Sequence, residues 1–275
     1  MIYETVKIKV DYKKAGINYE GLEPELTVYA PDKSPEINTK PYPAVLVLPG
    51  GGYDYCSDRE ADPVALRFMG LGVASFVLRY SCVKKKFPTA LLEALASMKY
   101  IKDNADRFFI DPDKLSVMGF SAGGHLAACV SNFYYDSELL NLIGASEKDV
   151  KPYKSVLCYP VLTSGEFTHE TTILNLLADG GDDKLRNKLS LETQVSEKTP
   201  PTFLWHTADD DCVPVENSLY YMEALSKAKV PFEAHIYEWG GHGLSLCDET
   251  TVNQPYQLMP VNAQWAASAA EFLKR

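Results

Sequence analysis

Four stretches of the chain carry residue types that could together make a nucleophile, its base, an orienting acid and an anion-binding loop. They are Gly119-Phe120-Ser121-Ala122-Gly123, Asp209-Asp210-Asp211, Trp239-Gly240-Gly241-His242-Gly243 and Gly50-Gly51-Gly52. A serine hydroxyl is a poor nucleophile at neutral pH, so it needs a base within hydrogen-bond reach and a carboxylate that orients the base. Glycines flank serines in many loops, and only context makes the pattern specific. Here Leu115, Val117 and Met118 can form a short buried strand, and Ala122 to Val130 is an Ala-rich apolar run that can continue as a helix. Ser121 thus sits at a strand-turn-helix junction, where a strained turn exposes the hydroxyl and small neighbours let strand and helix approach.

In that arrangement the chain order is serine, then acid, then histidine. Among five histidines, only His235 and His242 follow the acidic loop. His235 lies in the alternating run Phe232 to Tyr237 and belongs to a strand face, whereas the glycines around His242 form a loop able to swing an imidazole over the sheet edge, so His242 is the base. His125, four residues after the serine on the elbow helix, reads as a packing or capping residue. His206 ends a strand and orients the acidic loop, and His169, in the insertion, reads as a surface residue, with contact to substrate as the alternative reading.

The acid comes from Asp209-Asp210-Asp211, directly after the run Phe203 to His206. Burying three adjacent like charges is costly, so at most one points at the histidine while the others face solvent or cap the next helix. Physical reasoning alone leaves open which one. Acyl transfer also builds negative charge on a carbonyl oxygen, and each preorganised backbone N–H is worth roughly 3–4 kcal/mol there. Ala122, after the nucleophile, is one donor, and Gly50-Gly51-Gly52 supplies the others. Neither G-x-x-x-x-G-K-[ST] nor G-x-G-x-x-G occurs, which argues against a phosphate loop.

The elements that must position these residues alternate. Residues 3–10 and Glu25 to Ala30 read as two amphipathic edge strands, and Pro31 to Pro43 as a loop. Ala44 to Leu48, Val73 to Leu78, Lys114 to Met118, Lys154 to Tyr159, Phe203 to His206 and Pro231 to Tyr237 read as strands, the first two apolar enough to be buried on both faces. Helices are expected over Ala61 to Met69, Pro88 to Asn104, Pro214 to Lys229 and about Gln254 to Leu273. Such alternation predicts an α/β fold with helices on both faces of a mostly parallel sheet. Residues 161–201 are too long for a simple crossover and read as an insertion over the active-site edge. It holds helical stretches Thr171 to Leu177 and Asp183 to Leu189, separated by Gly180-Gly181.

The 275 residues fit one domain with that insertion, and 46% hydrophobic content supports a large core. A net charge of −10 argues against nucleic-acid or anionic-membrane binding, and the one basic run, Lys84-Lys85-Lys86, reads as a solvated loop. The six cysteines are scattered without a C-x-x-C pair, so neither a zinc site nor a disulfide framework is expected. With no signal peptide and no apolar stretch of membrane-spanning length, the expectation is a soluble cytoplasmic protein. Oligomeric state is not legible.

Leu48-Pro49-Gly50-Gly51-Gly52-Tyr53, the run Gly119 to Ala127, Tyr159-Pro160-Val161, His206 to Asp210 with Val213-Pro214, and Gly240 to Gly243 together resemble an α/β-hydrolase of the acetyl-xylan esterase and carboxylesterase type. The resemblance implies an α/β-hydrolase fold with a sheet of about eight strands. By the family spacing, two residues separate the acid from Val-Pro, which falls on Asp210. Gly51 and Gly52 join Ala122 as the oxyanion donors. Hormone-sensitive-lipase-like relatives carry histidine before the glycines, where this chain has Pro49; the backbone donors are retained. The implied substrates are small-molecule acetyl and other short acyl esters, often on saccharides, with no metal or organic cofactor. Tyr53 and the insertion are the expected pocket walls. An arylformamidase or a prolyl-oligopeptidase-type peptidase on the same fold, and a noncatalytic binding protein on this scaffold, are the competing readings.

Overall fold

The computed structural model describes residues 1–18, 21, 24–37, 40–83, 85–178 and 182–275; Lys84, Gly180-Gly181 and residues 38–39 of the Pro31–Pro43 loop lie outside the described residues. Among the described residues eight strands form one sheet: β1 (Ile2–Lys7), β2 (Glu25–Ala30), β3 (Tyr42–Leu48), β4 (Ala74–Arg79), β5 (Ile110–Phe120), β6 (Ser155–Cys158), β7 (Thr202–Thr207) and β8 (Phe232–Tyr237). Their order is β1-β2-β4-β3-β5-β6-β7-β8. β2 is antiparallel to both β1 and β4, and every other pairing is parallel. The helices are α1 (Asp62–Gly70), α2 (Thr89–Asp103), α3 (Ala105–Phe108), α4 (Ala122–Phe133), α5 (Ser137–Ile143), α6 (Glu147–Val150), α7 (Glu170–Leu177), α8 (Asp183–Lys188), α9 (Glu216–Lys227) and α10 (Trp265–Lys274).

Side chains alternate across a strand, so each central strand feeds two cores. Ala44, Leu46 and Leu48 of β3 join Leu91 and Leu95 of α2, Leu126 of α4 and Tyr221 of α9 on one face. Val45 and Val47 join Val64 and Phe68 of α1 and Trp265 and Phe272 of α10 on the other. Helices therefore cover both faces, as the alternation predicts, and the continuous apolar runs are buried because neither face meets water. Among the described residues no helix is long and apolar enough to cross a membrane.

Two sequence expectations need correction. Of the first two strands only β1 is an edge; β2 lies between β1 and β4 with five of its six residues buried. Its apparent polar face carries Tyr29, which packs in the cluster holding Phe68 and Val73, so alternation there marked two covered faces. The closing helix starts at Trp265, not near Gln254. Pro255 and Pro260 interrupt the run, and a proline removes an intrahelical donor and clashes with the preceding turn. Short 3₁₀ turns at Pro255–Gln257 and Asn262–Gln264 occupy that stretch instead.

Candidate active site

Parallel strands bring their C-terminal ends to one sheet edge, and the four stretches follow β3, β5, β7 and β8 at that edge. Ser121 lies between β5 and α4 with φ 52° and ψ −118°, a conformation an L-residue holds only when its surroundings impose it. The glycines permit that turn: a Cβ on Gly119 would fall 2.0 Å from the Gly123 carbonyl oxygen, and one on Gly123 would fall 2.1 Å from that of Leu48. Strand, turn and helix close on each other only without those carbons.

His242 stands beside the serine, its Nε2 2.8 Å from Ser121 Oγ and its Nδ1 2.6 Å from Asp210 Oδ2. Asp210 is buried between exposed Asp209 and Asp211, so a single carboxylate of the three turns inward. Its Oδ1 accepts the backbone N–H groups of Cys212 (3.0 Å) and Val213 (2.8 Å), and its Oδ2 also accepts from His206 Nε2 at 3.2 Å. Burial alone would raise the Asp210 pKa, but the hydrogen bonds from His206, His242 and the Val213 backbone outweigh it and hold the carboxyl well below the usual range. His206 is itself fixed, donating to the Val213 carbonyl at 2.9 Å and accepting from Ser218 Oγ at 2.7 Å. His235 lies on β8, where it packs against Phe203.

The His242 loop has three glycines at positive φ and is held from two sides. Thr207 Oγ1 donates to the Gly241 carbonyl at 3.0 Å, and Asp209 Oδ1 accepts the Gly241 N–H at 3.2 Å. Gly51 and Gly52 also have positive φ and line the cavity with Ser121 and His242. Among the described residues the N–H groups of Gly51 and Gly52 have no acceptor, whereas that of Gly50 goes to Glu60 Oε2 at 2.8 Å. Ala122 opens α4, where a backbone N–H has no intrahelical partner. Pro49 leaves the loop anchored, because Tyr80 O–H donates to its carbonyl at 2.7 Å.

The cavity over Ser121 measures about 480 Å³. Asp54, Tyr55, Ser57, Arg59 and Glu60 from the segment after β3 line it, together with His169, Thr171 and Asn175 from the 161–201 segment. Asn175 Nδ2 also donates to the Gly52 carbonyl at 2.8 Å, tying that segment to the glycine loop. His169, expected at the surface, is thus a cavity residue; burial first and the neighbouring His242 second lower its pKa. Tyr53 is not a wall. It is 3% exposed, and its positive φ turns the ring into the core, where its hydroxyl lies 3.0 Å from His125 Nδ1. Sequence adjacency to the glycines carried no information on side-chain direction. Glu60, Arg59, Tyr159 and Cys212 escaped the sequence reading; only the Tyr-Pro-Val run at 159–161 offered a signal.

His125 is fully buried, and its Nε2 donates to the Leu189 carbonyl at 3.0 Å, so Nδ1 accepts from Tyr53. Burial pushes its pKa down to about 4, only partly offset by the Leu189 carbonyl. An unfolded histidine titrates near 6.5, so between there and about 4 the unfolded chain binds a proton that the folded chain refuses. Stability attributable to this site is therefore full above about 6.5 and falls as the pH drops. Urea unfolding at pH 7, 5.5 and 4 should show the wild type losing roughly 2–3 kcal/mol more than His125→Gln, at about 1.4 kcal/mol per pKa unit; equal losses would exclude a neutral buried imidazole.

Comparison with known proteins adds a family. The BD-FAE family model matches residues 26–225. The chain is 35% identical over 209 residues to endo-1,4-beta-xylanase B of Butyrivibrio fibrisolvens, covering 74% of this chain and 33% of that protein. It is 31% identical over 206 residues to an acetylxylan esterase of Xylanibacter ruminicola, covering 73% and 40%. The matches thus span between a third and two fifths of these curated relatives. Among solved structures, an acetyl ester-xyloside bifunctional hydrolase from Caldicellulosiruptor lactoaceticus superposes with a TM-score of 0.83 at 35% identity, over 98% of this chain and 94% of that one.

Proposed function

The chain belongs to the BD-FAE family of α/β-hydrolases, and from that premise we propose that it is a serine ester hydrolase that removes short acyl groups, acetyl foremost, from hydroxyl-bearing small molecules such as xylo-oligosaccharides. One observation carries the reading: the unbroken line from Asp210 through His242 to Ser121, with contacts of 2.6 and 2.8 Å, beside a glycine loop whose Gly51 and Gly52 N–H groups are unclaimed among the described residues. The names of the relatives at 31–35% identity support an ester substrate.

In this mechanism Ser121 Oγ attacks the ester carbonyl as its proton passes to His242 Nε2, and the carbonyl oxygen becomes an oxyanion received by the N–H groups of Gly51, Gly52 and Ala122. Asp210 keeps the Nδ1–H tautomer and stabilises the imidazolium. The oxyanion then collapses, the C–O bond to the alcohol breaks, and His242 returns the proton to the departing oxygen. Water repeats the sequence on the acyl-serine and frees the acid and the enzyme. We assign residues 161–201 to the substrate wall on the strength of His169, Thr171 and Asn175 at the cavity. The cytoplasmic reading rests on six cysteines that are all free thiols.

Initial rates on 4-nitrophenyl acetate, butyrate and octanoate, on acetylated xylo-oligosaccharides and on N-formylkynurenine test the assignment. The highest kcat/KM among the 4-nitrophenyl esters is expected on the acetate, with acetate also released from the saccharides. Preference for octanoate or for the formamide would overturn it.

A further inference from the structure

Building on the ester-hydrolase reading, we propose that Glu60 is a positioning residue that locks the oxyanion loop and the His242 loop into one geometry. Glu60 ends a 3₁₀ turn, Asp58–Glu60, between the glycine loop and α1, and is 4% exposed. Its two oxygens go to two different parts of the site. Oε2 accepts the Gly50 N–H at 2.8 Å, and Oε1 accepts the Tyr159 hydroxyl at 2.7 Å. The Tyr159 oxygen in turn accepts the N–H of Ser245, three residues past His242, at 2.8 Å. The Tyr159 ring packs edge-on against the His242 imidazole, with centroids 5.1 Å apart. One carboxylate thus reaches the oxyanion loop directly and the histidine loop through a single phenol.

The neighbouring residue reinforces the same junction. Arg59 Nη1 donates to the Gly243 carbonyl at 2.9 Å, and the Arg59 carbonyl accepts from Ser245 Oγ at 2.6 Å. Space at the site is tight: a Cβ on Gly50 would fall 2.6 Å from Glu60 Oε2 and 3.0 Å from Ser121 Cβ, so Gly50 fills the gap between the carboxylate and the elbow. By taking the Gly50 N–H, Glu60 fixes the loop while leaving the next two N–H groups for an oxyanion. Among the described residues no cation pairs with Glu60, and a buried carboxylate served by neutral donors alone is expensive for the fold. Its return is stiffness: if either oxygen moved, it would leave a buried donor without a partner, so the two loops hold one position.

Glu60→Gln keeps the shape but replaces one acceptor by a donor, so either Gly50 N–H or Tyr159 O–H loses its partner. Tyr159→Phe removes only the arm to the histidine loop. The measurements are kcat and KM on 4-nitrophenyl acetate, the rate of Ser121 phosphonylation by a fluorophosphonate, and Tm. With both loops loosened, kcat and the phosphonylation rate of Glu60→Gln should fall together by about 10- to 100-fold, since a misplacement near 1 Å costs up to about 100-fold. Because Glu60 also lines the cavity, KM should shift by less than kcat, and the matched losses in kcat and phosphonylation rate carry the test. Tyr159→Phe should lose less, and the double variant should lose less than the product of the two single losses, because both singles break the Glu60–Tyr159 bond while only Tyr159→Phe unpairs the Ser245 N–H.

A folded Glu60→Gln with undiminished kcat and labelling overturns the proposal, as do single losses that simply multiply in the double variant. If Glu60→Gln does not fold, Tyr159→Phe decides, and an unchanged kcat there is equally fatal. Wild-type protein that labels with fluorophosphonate but turns over no ester sinks the ester reading alone, and labelling rates still test Glu60. Absence of both turnover and labelling overturns both.

Discussion

Ser121→Ala is expected to lower kcat on 4-nitrophenyl acetate by roughly 10⁴- to 10⁶-fold with the fold intact. The alanine removes one oxygen and nothing else. It inherits the φ of 52° that the serine already tolerates, and its Cβ occupies the same space, so the elbow has no new reason to open. What disappears is the atom 2.8 Å from His242 Nε2 that would form the covalent acyl intermediate. Binding and the oxyanion loop would survive, which is why a residual acceleration of about 10³- to 10⁴-fold over water is expected. Steady-state kinetics, with a check that fluorophosphonate no longer adds mass to the protein, decide the matter. Unchanged turnover would remove Ser121 from the chemistry.

Asp210→Asn should cost on the order of 10⁴-fold in kcat, and the hydrogen bonds say why. Four donors converge on the Asp210 carboxylate: the Cys212 and Val213 backbone N–H groups at Oδ1, and the His242 and His206 imidazoles at Oδ2. The two backbone donors cannot turn away, so the carboxamide oxygen of the substituted side chain must face them. Its NH₂ then faces His242 Nδ1, which can accept only if the proton moves to Nε2. An imidazole protonated at Nε2 cannot take the serine proton. Asp209→Asn should leave kcat within about threefold, since the amide oxygen can still accept the Gly241 N–H and an exposed substitution of this kind disturbs little. Kinetics of the two variants side by side test the assignment, and a larger loss in Asp209→Asn would move the acid to that neighbour.

How much of this site can be read from residues alone depends on how local the determining forces are. The elbow is legible because its pattern is compact: Gly119, Ser121 and Gly123 lie within five positions, and the Gly119 clash with the Gly123 carbonyl is local, although Gly123 itself answers the Leu48 carbonyl of a neighbouring strand. The sheet is legible because β3 and β4 are apolar runs whose burial on both faces leaves few alternatives. The closing helix begins later than its apolar pattern suggests because proline breaks at 255 and 260 outweigh the periodicity around them. Tyr53 turns away from the cavity because the direction of a side chain in a left-handed turn depends on the core beneath it, here His125 and Tyr80.

By itself the sequence determined the order of strands and helices, the elbow, and the succession of serine, acidic loop and late histidine, since these follow from steric and hydrophobic patterns within a few residues. Residue types alone left the three aspartates equivalent and family spacing pointed to Asp210; only the tertiary structure decided which donors its buried carboxylate meets, and that His169 faces the cavity. It also decided that Glu60 joins Gly50, ten positions away, to Tyr159, 99 positions away. Those outcomes rest on which groups meet once eight strands are in register, and a hydrogen bond between residues far apart in the chain leaves no imprint on the residues that lie between them.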